Sequence, residues 1–211
     1  MKKIIKLLTT ALLVSAMLLT GGCGKKFDAT GYVNSFMKMI TQGDVSDYMK
    51  LTDQSEEEAK GDYQKMLDEM ASMLENFGAS EEVQNKVTDA FIALLAKAKY
   101  TVHDAVEVDG GFDVDVEIEP IQGVYDGMME ELQNEAMDAV SSNEITTDEI
   151  YDWLFTKMAD KMTEKLDSIT YGTPETVTVH LEKNGNVYEI KDDSATGEKI
   201  GQLLIDQSAL N

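Results

Sequence analysis

The chain has 211 residues, with 18 lysines and no arginine against 40 acidic residues, a net charge of −22, and 43% hydrophobic residues. That hydrophobic share excludes a disordered chain, and the length accommodates one domain or two small ones with a real core. The negative charge and the missing guanidinium forks exclude nucleic acid as a partner. The single cysteine, Cys23, excludes an internal disulfide and any cysteine-based metal cluster.

The N-terminus reads as an address. Lys2, Lys3 and Lys6 form a basic patch, and residues 7–19 are an uncharged, mostly apolar run. That run is shorter than the roughly 20 residues a membrane span needs, but it has the length of a signal-peptide core. Small residues follow, and the segment Leu18-Leu19-Thr20-Gly21-Gly22-Cys23 resembles a bacterial lipobox. The usual pattern has Leu three residues before the Cys; here Thr20 holds that place and Leu19 sits one further back. The resemblance implies a signal peptide over residues 1–22 and a diacylglyceryl thioether on Cys23, which becomes the new N-terminus. Removing residues 1–22 takes three lysines and no acid, and leaves a net charge of −25. A doubly acylated anchor holds stably where one chain binds only marginally. The expected location is the outer face of the bacterial plasma membrane. Residues 23–28 form the tether, and residues 29–211 are expected to make a single α+β domain.

Helical spacing then runs to about Ala98. Tyr32, Phe36 and Ile40 recur every four residues, with Val33 and Met37 beside them, until Gly43-Asp44 breaks the element. A short segment follows around Tyr48 and Leu51. Ser55 with Glu58 forms a capping box. It opens a helix with an apolar stripe of Tyr63, Met66, Leu67, Met70, Met73, Leu74 and Phe77. Gly78 ends it. Ser80 is the expected cap of the next helix, striped by Val83, Val87, Phe91, Leu94, Leu95 and Ala98.

The period then changes to two. Tyr100, Val102, Val106 and Val108 lead into Asp109-Gly110-Gly111, and Phe112, Val114, Val116 and Ile118 lead out. A three-residue loop would set Val108 opposite Phe112, Val106 opposite Val114 and Val102 opposite Ile118. Pro120 ends the strand, and helices are expected from Ile121 onward. One carries Tyr125, Met128, Leu132, Ala136 and Ala139. After Ser141-Ser142-Asn143, Thr146 and Glu149 cap another, carrying Tyr151, Leu154, Phe155, Met158, Met162, Leu166 and Ile169. Residues 171–174 read as a break. A second hairpin turns at Asn184-Gly185, with Leu181 opposite Tyr188, Val179 opposite Ile190 and His180 opposite Glu189. Residues 192–197 read as a polar loop before a last helix over residues 198–206.

Each hairpin has one apolar and one polar face. The predicted fold is α+β: a four-stranded antiparallel sheet from two hairpins, with helices packed on one face. Two separate helix-plus-hairpin lobes are the alternative. The lipobox, Tyr32-Val33 with Phe36, Gly43-Asp44 through Leu51-Thr52, and Ser55-Glu56-Glu57-Glu58-Ala59 together resemble a domain of unknown function in lipoproteins of Gram-positive, clostridia-like bacteria. That resemblance implies a cell-envelope lipoprotein. It also implies a fold similar to the cystatin-like or nuclear-transport-factor-like group, and it carries no activity.

Few residues carry chemistry. His103 and His180 are the only histidines. The predicted register sets them opposite Glu117 and Glu189, as cross-strand pairs or as a His/carboxylate site. Asp113, Asp115, Glu117 and Glu119 form a ladder about 7 Å apart along one strand, which does not by itself converge on a calcium ion; it reads as a solvated face, with a weak divalent-cation or cationic-ligand surface as the alternative. Trp153 lies off the apolar stripe of its helix, either at a binding surface or packed against a neighbour. The methionines are core filler or an adaptable groove. No catalytic motif, cofactor motif or metal-ligand spacing occurs, and the size and lack of alternating βα units disfavour a two-lobed solute receptor. The expected function is a membrane-anchored extracytoplasmic binding or protein-interaction module. It would be attached through Cys23 and engage an envelope protein or ligand by way of Trp153, His103, Asp115 and Glu117. An envelope enzyme or metal-dependent protein using His103 and Glu117 is the alternative.

Overall fold

The structure is a computed structural model that describes residues 27–146, 149–185 and 187–210. The leader, Cys23 and most of the tether lie outside the described residues.

Helix α1 (Ala29–Gln42) starts where Asp28 accepts a hydrogen bond from the Gly31 amide (2.8 Å), and it stops at Gly43, whose φ of +66° suits glycine. Its stripe of Tyr32, Val33, Phe36, Met37 and Ile40 is buried. A short α2 (Ser46–Thr52) leads to α3 (Glu56–Asn76). The capping box there is complete: Ser55 N donates to Glu58 Oε2 (2.8 Å), and Glu58 N donates to Ser55 Oγ (3.2 Å). The Ser55 amide, and after it the Ser55 hydroxyl (2.7 Å), donate to the Glu58 carboxyl and hold it below its usual range. Helix α4 (Glu81–Leu95) buries Val83, Val87, Phe91, Leu94 and Leu95. Ser80 departs from expectation. Its side chain makes no capping bond, and its amide instead donates to Asp152 Oδ1 (2.7 Å), tying α4 to a helix 72 residues on.

Strands β1 (Lys99–Val102), β2 (Val106–Val108) and β3 (Gly111–Glu119) follow. Then come β4 (Ile121–Gln122), α5 (Met128–Ser141), α6 (Ile150–Lys165), β5 (Thr170–Tyr171), β6 (Glu175–Asn184), β7 (Val187–Ile190), α7 (Asp193–Leu204) and a 3-10 turn (Ser208–Leu210). The two hairpins share one sheet. Its order is β1-β3-β6-β7, with β2 beside β1 on the same flank of β3 and every pairing antiparallel. The join is β3 against β6, which sets Val114 opposite Val179 and Val116 opposite Val177. Val114, Val116, Ile118, Val177, Val179 and Leu181 line the buried face. Helices α1 and α7 lie on the sheet, α4 packs against α1, α6 against α4, and α5 against α6. This is the α+β architecture with helices on the apolar side.

The first hairpin corrects the predicted register. Tyr100 faces Ile118 and Val102 faces Val116, but Val106 faces Asp113 and Val108 faces Gly111. The three residues between Val102 and Val106 oppose the two between Val116 and Asp113, so the strand carries one extra residue: a bulge. The bulge is held by His103 N donating to Asp115 O (2.9 Å) and Ala105 N donating to Thr30 Oγ1 (2.8 Å). One extra residue turns every later side chain to the other face. Val106 and Val108 therefore leave the core side and are 62% and 40% exposed. The loop is the two residues Asp109-Gly110, with Gly110 at φ +82°. The second hairpin is displaced by two residues, with Leu181 opposite Ile190 and Lys183 opposite Tyr188, so faces are kept.

Three further expectations change. Ile121 opens a two-residue strand paired with Thr170–Tyr171, and the helix waits until Met128. The predicted break at residue 171 is in part that strand. Helix α7 begins at Asp193, inside the predicted polar loop. Tyr151, placed on the core stripe by spacing, is 47% exposed. The hydroxyls of Tyr32, Tyr48 and Tyr125 are buried, and none has a hydrogen-bond partner among the described residues.

Candidate functional site

The polar face of the sheet gathers most of the singled-out residues, but not in the predicted pairs. Odd-numbered residues of β3 point away from the core, so Asp113, Asp115 and Glu117 share this face with the β6 residues opposite them: His180, Thr178 and Thr176. His180 Nδ1 lies 2.7 Å from Asp113 Oδ1, and Thr178 Oγ1 donates to Asp115 Oδ1 (2.6 Å). Glu189 faces Glu182, not His180. His103 sits in the bulge and is exposed; the residue opposite Glu117 on the neighbouring strand is Thr101. The His103/Glu117 and His180/Glu189 pairings are therefore corrected. The two-residue loop and the extra residue of the bulge together moved the first, and the two-residue displacement of β7 moved the second. His103, in the bulge, and His180, on β6, lie on opposite flanks of β3; the His103 backbone N–H donates to the Asp115 carbonyl, whereas the His180 ring meets the Asp113 carboxylate.

A groove of about 320 Å³ opens beside the His180–Asp113 pair, lined also by Val108, Gly111, Glu182 and Lys191. Lys191 Nζ stands 3.6 Å from Glu182 Oε2. An imidazole held by a carboxylate can relay a proton, but covalent catalysis also needs a nucleophile within reach. No hydroxyl or thiol lines this groove among the described residues. The pair joins β3 to β6, with the His180 and Asp113 side chains 54% and 34% exposed. Among the described residues, no group of three or more His, Cys, Asp or Glu is placed to hold a metal ion.

Trp153 is half-buried against the core, and its ring carries the Lys157 ammonium 5.6 Å from its centroid. It floors a broader groove of about 590 Å³ between the end of α5 and the start of α6, rimmed by Glu135, Asp138 and Glu144. Lys161 pairs with one of the rim carboxylates, Glu135. Its ammonium contacts Glu135 (2.8 Å) and Glu131 (2.9 Å), and those bonds raise its pKa while lowering that of Glu131. Trp153 and the sheet-face residues thus belong to different surfaces.

One feature had no signal in the helix and strand periodicities. Phe27 stacks on Tyr188 of β7, with ring centroids 4.3 Å apart and planes 8° from parallel. It also touches Phe112 of β3 at 5.8 Å and Tyr32 of α1 at 6.0 Å. Isolated aromatics in three distant segments converge only once the hairpins share a sheet.

Among the described residues, no helix is long and apolar enough to cross a membrane. No protein-family model and no curated protein matches the chain. A solved structure does: the crystal structure of a "putative lipoprotein (ycdA)" from Bacillus subtilis superposes with a TM-score of 0.61 at 14% identity. The match covers 85% of this chain and 56% of that one, so this chain spans little more than half the length of the Bacillus protein. At that identity the likeness is one of fold: an α+β arrangement of helices on an antiparallel sheet, shared with a protein described as a lipoprotein.

Proposed function

We propose that this chain is a cell-envelope lipoprotein, anchored through Cys23 on the outer face of the plasma membrane, that acts as a non-enzymatic interaction module. The observation that carries the reading is the placement of the only cysteine, directly after an uncharged run of signal-peptide length and two glycines. The fold shared with a protein described as a lipoprotein supports it. Cys23→Ser is expected to shift the protein from the membrane fraction to the soluble fraction. An unchanged fractionation would contradict the anchor.

The interaction surface in this reading is the polar face of the sheet. Asp113, Asp115, Glu117 and Glu182 stand on it together with the exposed Val106 and Val108. Carboxylates around a small apolar patch fit a protein partner with a basic surface, by charge complementarity. A chain carrying Asp115→Lys and Glu117→Lys is expected to fold normally by circular dichroism and to lose partners captured from the native envelope by the wild-type chain. Equal capture by both chains would remove this face from the account.

A further inference from the structure

The aromatic clasp around Phe27 fixes where the chain enters the fold. Phe27 is held by Tyr188, Phe112 and Tyr32, and Phe112 and Tyr188 also touch each other at 5.4 Å. The next residue, Asp28, is the cap of α1. Tyr188 lies opposite Lys183 near the turn that joins β6 to β7. Phe112 is the second residue past the Asp109-Gly110 turn that joins β2 to β3. Both hairpins therefore turn at the same end of the sheet, and the chain enters at that end.

Cys23 is four residues upstream of Phe27. Four residues of fully extended chain span at most about 14 Å. The strand β6 has ten residues and is about 30 Å long, so the tether cannot reach from its clasped end to the other. A lipid on Cys23 is thereby confined to the hairpin-turn end.

We propose that this end of the sheet faces the lipid headgroups, with β3 and β6 standing upright from the bilayer and the β4–β5 ribbon directed away from it. The proposal rests on the lipid-anchor reading and adds an orientation to it. Attraction to anionic lipid is not required, because Lys191 at this end lies with Asp109, Glu182 and Asp192, and Lys25 and Lys26 belong to the tether itself. The orientation comes from a short tether that ends in a rigid clasp, and it is the same on neutral and anionic bilayers. It leaves the polar sheet face perpendicular to the membrane and open to partners alongside.

The experiment places a fluorophore at either end of β6, by Lys183→Cys or Glu175→Cys, both at exposed positions. Cys23 is the chain's only native cysteine, and as a thioether it does not react with a maleimide, so each chain takes one label. The lipidated protein is bound to phosphatidylcholine vesicles carrying a headgroup-attached quencher. The label at 183 is expected to be quenched several-fold more than the label at 175. The difference is expected to collapse in the Phe27→Ala chain, and also when a long Gly-Ser linker is inserted after Lys26, a change that leaves the clasp and the folded part untouched. Equal or reversed quenching in the linker-free chain would overturn the orientation while leaving the anchor in place. A native chain whose Cys23 itself accepts maleimide would overturn the anchor and the orientation together.

Discussion

Raising the pH from about 9 to about 12 is expected to unfold the protein in a transition steeper than one ionising group could produce. Three of the eight tyrosines, Tyr32, Tyr48 and Tyr125, are buried to 2% exposure or less. Burial pushes each phenol well above its ordinary value of 10.0. For Tyr32 the Asp62 carboxylate adds to this; for Tyr48 the neighbouring Tyr32 and then Asp62 do. The folded chain therefore keeps protons that the unfolded chain releases above about pH 10. Stability is complete below that pH and falls as pH rises, by about 1.4 kcal/mol per pH unit for each phenol. Three together remove about 4 kcal/mol per unit, which exhausts a stability of about 5–15 kcal/mol within a few units. Urea titrations at stepped pH, with phenolate absorbance read alongside circular dichroism, measure this. Part of the phenolate signal is expected to appear only with the loss of secondary structure. Tyr32→Phe is expected to cut the slope by about a third. At neutral pH it costs little, because the hydroxyl it removes is buried without a partner among the described residues. Full ionisation of all eight tyrosines on a folded chain would contradict the assignment.

Gly111→Ala is expected to be the most damaging single methyl in the sheet. Gly111 opens β3 opposite Glu182. A Cβ built on it would lie 1.8 Å from the carbonyl oxygen of Leu181, 2.9 Å from its carbon and 3.2 Å from Glu182 Cα. These are backbone atoms of the strand that joins the two hairpins, so no side chain can rotate to make room. The strands must part at this end, taking with them the bond from Lys183 N to Gly110 O (2.9 Å). The expected cost is about 3 kcal/mol or more. Gly110→Ala is the comparison. Its Cβ would meet open space, and only the φ of +82° opposes it, at about 1–2 kcal/mol. Urea melts of the two variants should separate clearly; indistinguishable midpoints would show that the β3–β6 approach is looser than described.

The parts of this fold legible in the sequence are those that local geometry determines. The stripes of α1, α3 and α4 and the Ser55–Glu58 box depend on residues three or four apart, and these formed as expected. Alternation in the strands fixed which face each residue takes but not its partner. A two-residue displacement leaves every face unchanged, so nothing in the sequence separates Leu181 opposite Tyr188 from Leu181 opposite Ile190. The bulge between Val102 and Val106 depends on a bond to Thr30, 75 residues away. The His180–Asp113 contact depends on β3 meeting β6, a pairing between hairpins that within-hairpin rules do not address. Helix α7 starts in Asp193-Ser194-Ala195-Thr196-Gly197, a segment of weak helical propensity that packing against β3 and β6 overrides. The candidate site was legible as a list of polar-face residues and illegible as a geometry. Glu117 lies on the expected face but opposite Thr101 instead of His103, and Asp115 on the same face meets Thr178 of the other hairpin.

In the proposed reading one sulfur atom holds this acidic domain to the membrane. Intact mass spectrometry of the protein extracted with detergent from its own cells tests it most directly. The account predicts a chain that begins at Cys23 and carries the added mass of a diacylglyceryl group on that residue. A chain that retains residues 1–22 with an unmodified thiol at Cys23 would contradict it.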